Sequence, residues 1–210
     1  MALIYKATLT PPKIDLLTGW LPSRSWFSGA SDVRAVGAYR FDDPAGEVGL
    51  ESFLLQAGDG PVLQAPLTYR AAPLAGAEDF LVGTTEHSVL GRRWVYDGCA
   101  DPVWVTALAH VVLTGGTQAE EFVDQGDGRL EPRPPTATVR GSGTSDLPAT
   151  AIDSPTCRDD GPTTLIRAGG LELVVVRMIG APVAGEHTLT GRWADAGPAV
   201  LAAVTGGASA

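Results

Sequence analysis

"DPVWVTALAHVVLTGG", residues 101–116, decides how the rest of the chain can fold. Asp101 is a good helix N-cap, Pro102 suits the first helical position, and the Gly115–Gly116 pair stops a helix. Between these signals Val105, Leu108 and Val112 share one face, while Trp104, Ala109 and Val111 make the other side apolar as well. A helix that is apolar nearly all round is covered on several sides. The pattern predicts a long buried helix around which a sheet curls, with His110 a satisfied core histidine. Just after it, Thr117 and Glu120 have capping-box spacing and predict one more helical turn.

Upstream, "ALIYKATL" (2–9) alternates like a first strand, and "TPPKIDLLTGWLP" (10–22) reads as a short helix. Thr10 is its expected cap, Ile14, Leu17 and Leu21 share a face, and Pro22 ends it. "SWFSGASD" (25–32) is a loop. "VRAVGAYRF" (33–41) and "EVGLESFLLQA" (47–57) alternate as strands around "DDPAG", and "GDG" (58–60) turns into "PVLQAPLTYR". Asp42 or Asp43 can accept bonds from turn amides, so this acidic cluster reads as a turn and not as acid–base machinery. Residues 77–98 continue the strands.

Downstream, 131–162 is rich in Pro, Ser, Thr, Gly and Asp and reads as a mobile excursion with a short strand near Thr138–Arg140. "TTLIRAGGLELVVVRMIG" (163–180) is a hairpin whose second strand should lie centrally in a sheet. "HTLTGRW" and "AVLAAVTG" pair around "ADAGP". These strands are expected to complete the sheet begun upstream, giving one domain over 1–210. The fold class expected is α+β: a curved, mostly antiparallel sheet packed around one long apolar helix, with a short N-terminal helix.

Composition narrows the functional classes. Apolar residues make up 44% of the 210, enough for a real core, and the net charge of −9 argues against a nucleic-acid partner. Lys6 and Lys13 are the only lysines. No secretory leader or membrane-length apolar run is visible, so a cytoplasmic protein without membrane contact is expected. Cys99 and Cys157 have neither disulfide-framework nor zinc spacing.

No constellation announces a reaction. "LTGGTQ" and "VRGSGTSD" lack the lysine and spacing of a phosphate loop, and read as a helix stop and a flexible loop. His87, His110 and His187 are scattered, so neither metal nor cofactor is expected. Glu86-His87-Ser88 alternate faces on a strand and cannot form a triad among themselves. The best binding candidate is "GRRWVYDG" (91–98), where Arg92, Trp94 and Tyr96 share one strand face and Arg93, Val95 and Asp97 the other. Such an Arg–aromatic row suits a sugar ring or an interface hot spot. Its competing reading is core packing with Arg92 covering an edge. Glu86 and Arg40 complete the candidate set, and no residue is assigned to catalysis or a metal.

The blocks "MALIYKATLTPPKIDLLTGWLP", "GAYRFDDPAGEVGLE", "PLTYRAAPL", "LVGTTEHSVLGRRWVYDGCADPV" and "TGGTQAEEF" occur in order over roughly residues 1–125. Together they resemble the N-terminal cap domain of maltokinases, and more closely the stand-alone cap-like proteins. The resemblance implies a curved antiparallel sheet on a helix. In the kinases this sheet sits beside the ATP-binding lobe of an enzyme that phosphorylates maltose in a trehalose-to-glucan pathway. This sequence shows no kinase catalytic loop and no metal-binding D-F-G-like element. The resemblance therefore implies a non-catalytic accessory or regulatory protein of trehalose and glycogen (α-glucan) metabolism, partnered by a kinase or another glucan-pathway enzyme. A sugar-binding module is the alternative, and exposed edge strands leave room for a homodimer.

Overall fold

Period-two runs of apolar residues take the chain into strands along most of its length. The computed structural model describes residues 1–29, 32–146, 151–194 and 196–206. In chain order come β1 (Ala2–Tyr5), β2 (Leu9–Thr10), α1 (Lys13–Trp20), β3 (Val33–Phe41), β4 (Gly49–Ala57) and β5 (Val62–Arg70). There follow β6 (Leu81–His87), β7 (Gly91–Asp97), α2 (Pro102–Thr114), β8 (Glu121–Asp124), β9 (Leu130–Arg133) and β10 (Ala137–Gly141). The last elements are β11 (Thr156–Asp160), β12 (Thr163–Ala168), β13 (Leu171–Val176), β14 (His187–Trp193) and β15 (Ala199–Thr205).

This is a mostly β molecule, which corrects the α+β expectation. Among the described residues no long apolar helix exists. Asp101 accepts the Val103 N–H and Gly115 adopts the left-handed C-terminal geometry, so α2 closes after 13 residues, about 20 Å. The same caps that mark the helix also keep it short. The strands form two separate six-stranded antiparallel sheets, ordered β2-β6-β7-β5-β4-β3 and β10-β14-β15-β13-β12-β11, and a three-stranded sheet β1-β8-β9. The C-terminal strands thus do not complete the first sheet. β13 is central as expected, but β12 and β15 take both of its edges, so it has no hydrogen-bonding edge left for the upstream strands.

α2 lies between the two large sheets. One buried cluster runs from Tyr39, Leu50 and Leu54 of the first, through Trp104, Leu108 and Val112, to Ile166, Leu173, Leu189 and Leu201 of the second. A second cluster packs Leu17, Trp20 and Leu21 on the other face of the first sheet, against Leu55, Leu67 and Val95. Each fully buried Leu or Val contributes roughly 1.5–3 kcal/mol of transfer free energy, so the two-faced first sheet is the centre of stability.

Several local expectations change for long-range reasons. His110 is exposed, because the sheets cover α2 without closing round it. Thr10 pairs with Glu86 in β2, and Pro12 takes the N-cap position of α1 without a side-chain bond. No helical turn follows Thr117. Its backbone bridges to Arg140, Ala119 N–H donates to Arg40 O, and Glu121 opens β8. "VRGSGTSD" docks on the end of α2: the Gly143 and Ser145 N–H groups each donate at 2.9 Å, to Val112 O and Leu113 O. These bonds satisfy terminal helix carbonyls that would otherwise lack partners. The excursion at 131–162 carries β9, β10 and β11, with 147–150 outside the described residues, as are parts of the loops at 25–32 and 194–198. Among the described residues no helix is long and apolar enough to cross a membrane.

Candidate functional site

The β6–β7 ribbon carries four of the five candidate binding residues. Arg92 is exposed, and its Nε donates to Oε1 of Glu86, its cross-strand partner, at 2.7 Å. Trp94 is half-buried. Tyr96, on the same face, is buried, and its hydroxyl accepts the Leu74 N–H at 3.0 Å. Strand pairing runs Arg40 to Glu51, Glu51 to Leu67 and Leu67 to Asp97, so Arg40 shares the face of Arg93 and not that of Trp94. The structure therefore brings Arg92 and Glu86 together, aligns Trp94 and Tyr96 behind them, and places Arg40 on the reverse face.

The acidic stretch after Arg40 is a turn. The Asp43 carboxylate accepts the N–H groups of Ala45, Glu47 and Val48 at 2.9–3.0 Å, and Asp42 pairs with the N-terminal amine. Turn amides thus occupy Asp43, while the N-terminal amine occupies Asp42.

The reverse face holds a denser polar array whose members lie far apart in the sequence. Glu51, only 6% exposed, binds Arg40 Nη2 at 2.8 Å and Lys13 Nζ at 2.6 Å, and accepts the Tyr69 hydroxyl at 3.0 Å. Lys13 also lies 5.1 Å from the Tyr69 ring centroid. Burial alone would raise the Glu51 carboxyl, but Arg40 and Lys13 outweigh it and hold the group at about 2. Burial lowers the Lys13 ammonium, and Arg40 and Arg133 push it further down against Glu51. His87 is likewise lowered, by burial and then by Arg93 and Lys13. Glu121 is raised by burial, with Arg40 and Arg133 opposing. A cavity of about 670 Å³ opens over this array, between β1, the β3–β4 turn and the β6–β7 turn. The hairpin register across "DDPAG" was a readable signal for the Arg40–Glu51 pair. Nothing local points to Lys13 or Arg133 as its neighbours.

The remaining buried polar groups join the sheets. Arg177, just after β13, donates to Asp97 Oδ2, Thr164 Oγ1 and Cys99 Sγ, and its guanidinium lies 5.1 Å from the Trp26 ring centroid. Burial drives the Cys99 thiol well up and Cys157 to about 12, which makes both poor nucleophiles. Among the described residues no group of three His, Cys, Asp or Glu side chains could hold a metal ion.

No curated protein sequence matches this chain. From the end of α1 through β3–β7 of the first sheet to the cap of α2, residues 20–101 match the family model of the maltokinase N-terminal cap domain, the family whose motifs the sequence resembles.

Proposed function

We propose that the chain is a cap-type accessory protein of maltokinase-linked trehalose and α-glucan metabolism, acting by contact with an enzyme of that pathway and not by moving phosphate itself. The match over residues 20–101 carries this reading, since it spans all of β3 to β7. The β6–β7 ribbon supports it as the contact surface. At its tip Val89 and Leu90 are exposed apolar side chains, and the Arg92–Glu86 pair stands beside them in solvent. An exposed apolar tip with charged neighbours matches the apolar centre and polar rim of a protein interface.

The test titrates purified protein into an intact maltokinase, and into a maltokinase whose own cap has been removed, by calorimetry. The expected result is saturable association, weakened about tenfold or more by Val89→Asp or Arg92→Glu. Absence of association with both kinases overturns the reading, and so does ATP-dependent phosphorylation of maltose by the pure protein alone.

A further inference from the structure

The cavity on the reverse face of the first sheet concentrates positive charge in an acidic protein. Lys13, Arg40, Arg93 and Arg133 all line it, four of the chain's 15 Lys and Arg residues, against a net charge of −9. Two carboxylates answer them, Glu51 and Glu121, so the inner end keeps an excess of cations. At the rim, Asp43 is bound to turn amides and Asp42 to the N-terminal amine, which leaves Glu47 as the free acid there.

Donor capacity exceeds the acceptors supplied. Arg93 Nη2 donates to Leu90 O at 2.5 Å, but its Nε is buried without a hydrogen-bond partner. Arg133 Nε stands 3.7 Å from Glu121, outside hydrogen-bond distance. A buried, unpaired guanidinium N–H is costly, and a shift of the Arg93 side chain toward the cavity it lines would let an oxyanion accept from it in a charge-assisted bond. The volume of about 670 Å³ is that of a small-molecule site. Ile4, Leu9 and Leu90 supply apolar wall for the rest of a ligand.

The geometry points to this cavity as the binding site for the oxyanion head of a small metabolite, a phosphate ester or a carboxylate, gripped by Arg93, Arg133 and Lys13. Burial is the main cause that lowers the Lys13 ammonium and the His87 imidazole, and the neighbouring cations add to it, Arg40 and Arg133 for Lys13 and Arg93 and Lys13 for His87. The site goes beyond the contact function proposed above, and its test needs no partner protein.

Calorimetry in a phosphate-free, carboxylate-free buffer at low salt provides that test. Inorganic phosphate, glycerol 3-phosphate and citrate are the anionic probes, and glycerol and maltose the neutral ones. The expected result is saturable binding of at least one anion, weakened by added salt and reduced about tenfold or more in Arg93→Gln and in Arg133→Gln. Arg93→Lys keeps the charge and should retain most of the binding. Preference for glycerol 3-phosphate identifies a phosphate ester and preference for citrate a carboxylate, and either supports the site. No heat from any anion, equal binding of the neutral probes, or affinity unchanged in both Gln variants overturns it. Arg133 is half-exposed on an edge strand, so its variant carries the test should Arg93→Gln fail to fold by circular dichroism.

Discussion

Arg177 and Asp97 form a buried ion pair at the joint of the two large sheets, with Nη2 to Oδ2 at 2.5 Å and the guanidinium fully enclosed. The joint is a backbone one as well: Gln64 N–H donates to Arg177 O, and Ile179 N–H to Val62 O. Gln64 adds a side-chain tie, accepting from the Tyr39 hydroxyl and donating to Leu201 O.

Removing one member of a buried pair strands the other charge away from water. Arg177→Met should therefore lower stability by about 3–5 kcal/mol in urea unfolding. The double variant Arg177→Met/Asp97→Asn should recover part of that loss, because no charge is left unpaired. Trp26 fluorescence should shift in both variants, since the cation lies against its ring. A single-variant loss below about 1 kcal/mol would mean that the pair does not hold the sheets together.

The start of α2 depends on one carboxylate with two duties. Asp101 accepts the Val103 N–H as the cap and binds Arg70 through two bonds of 2.6 Å. Asp101→Ala removes both, and a loss of about 2–4 kcal/mol is expected. Asp101→Asn keeps a cap acceptor and should cost clearly less. Equal losses in urea unfolding would show that the cap contributes little.

The contact between β10 and the end of α2 admits no side chain. A Cβ on Gly141 would lie 2.0 Å from Val111 O, and one on Gly143 2.0 Å from Leu113 O. Both clashes are with backbone, so Gly141→Ala and Gly143→Ala should each cost more than about 3 kcal/mol or prevent folding. Gly19, inside α1 with open space round it, is the control. Gly19→Ala should stabilise by about 0.5–1 kcal/mol. Thermal unfolding of the three variants checks both directions at once.

What could be read from the sequence was the local chemistry. The cap at Asp101, the stop at Gly115 and the turn at Asp43 each depend on neighbours within a few residues, and the alternation of β3, β4 and β5 follows from side-chain period. The partner of each strand was not readable, because β13 offers the same apolar run to any edge, and β15, which begins 23 residues after β13 ends, takes it. Tertiary contacts also overruled sound local signals. Thr117 and Glu120 have capping-box spacing, but the backbone there is committed to Arg140, Arg40 and Ala2. The candidate site divides in the same way. The face shared by Arg92, Trp94 and Tyr96 follows from alternation, whereas Lys13, Glu51 and Arg133 meet only after α1, β4 and β9 have packed.

Glu51 makes stability depend on acid pH in a direction that can be stated. Its folded value of about 2 lies below the ordinary 4.5, because two cations and the Tyr69 hydroxyl favour the carboxylate over the cost of burying it. A depressed folded value means that the unfolded chain binds the proton more readily. The contribution is therefore complete above about pH 4.5 and is lost as pH falls toward about 2. Glu51→Gln should remove that dependence and flatten the stability profile between those limits. It should also destabilise the protein near neutrality by a few kcal/mol, since Arg40 and Lys13 would face each other without a counter-charge. Lys13→Met should move the acid limb in the same sense but less, as Arg40 remains at 2.8 Å. Urea midpoints of the wild type and the two variants, taken across this pH range, provide the measurement. An acid limb that keeps its slope in Glu51→Gln would assign the dependence to other carboxylates.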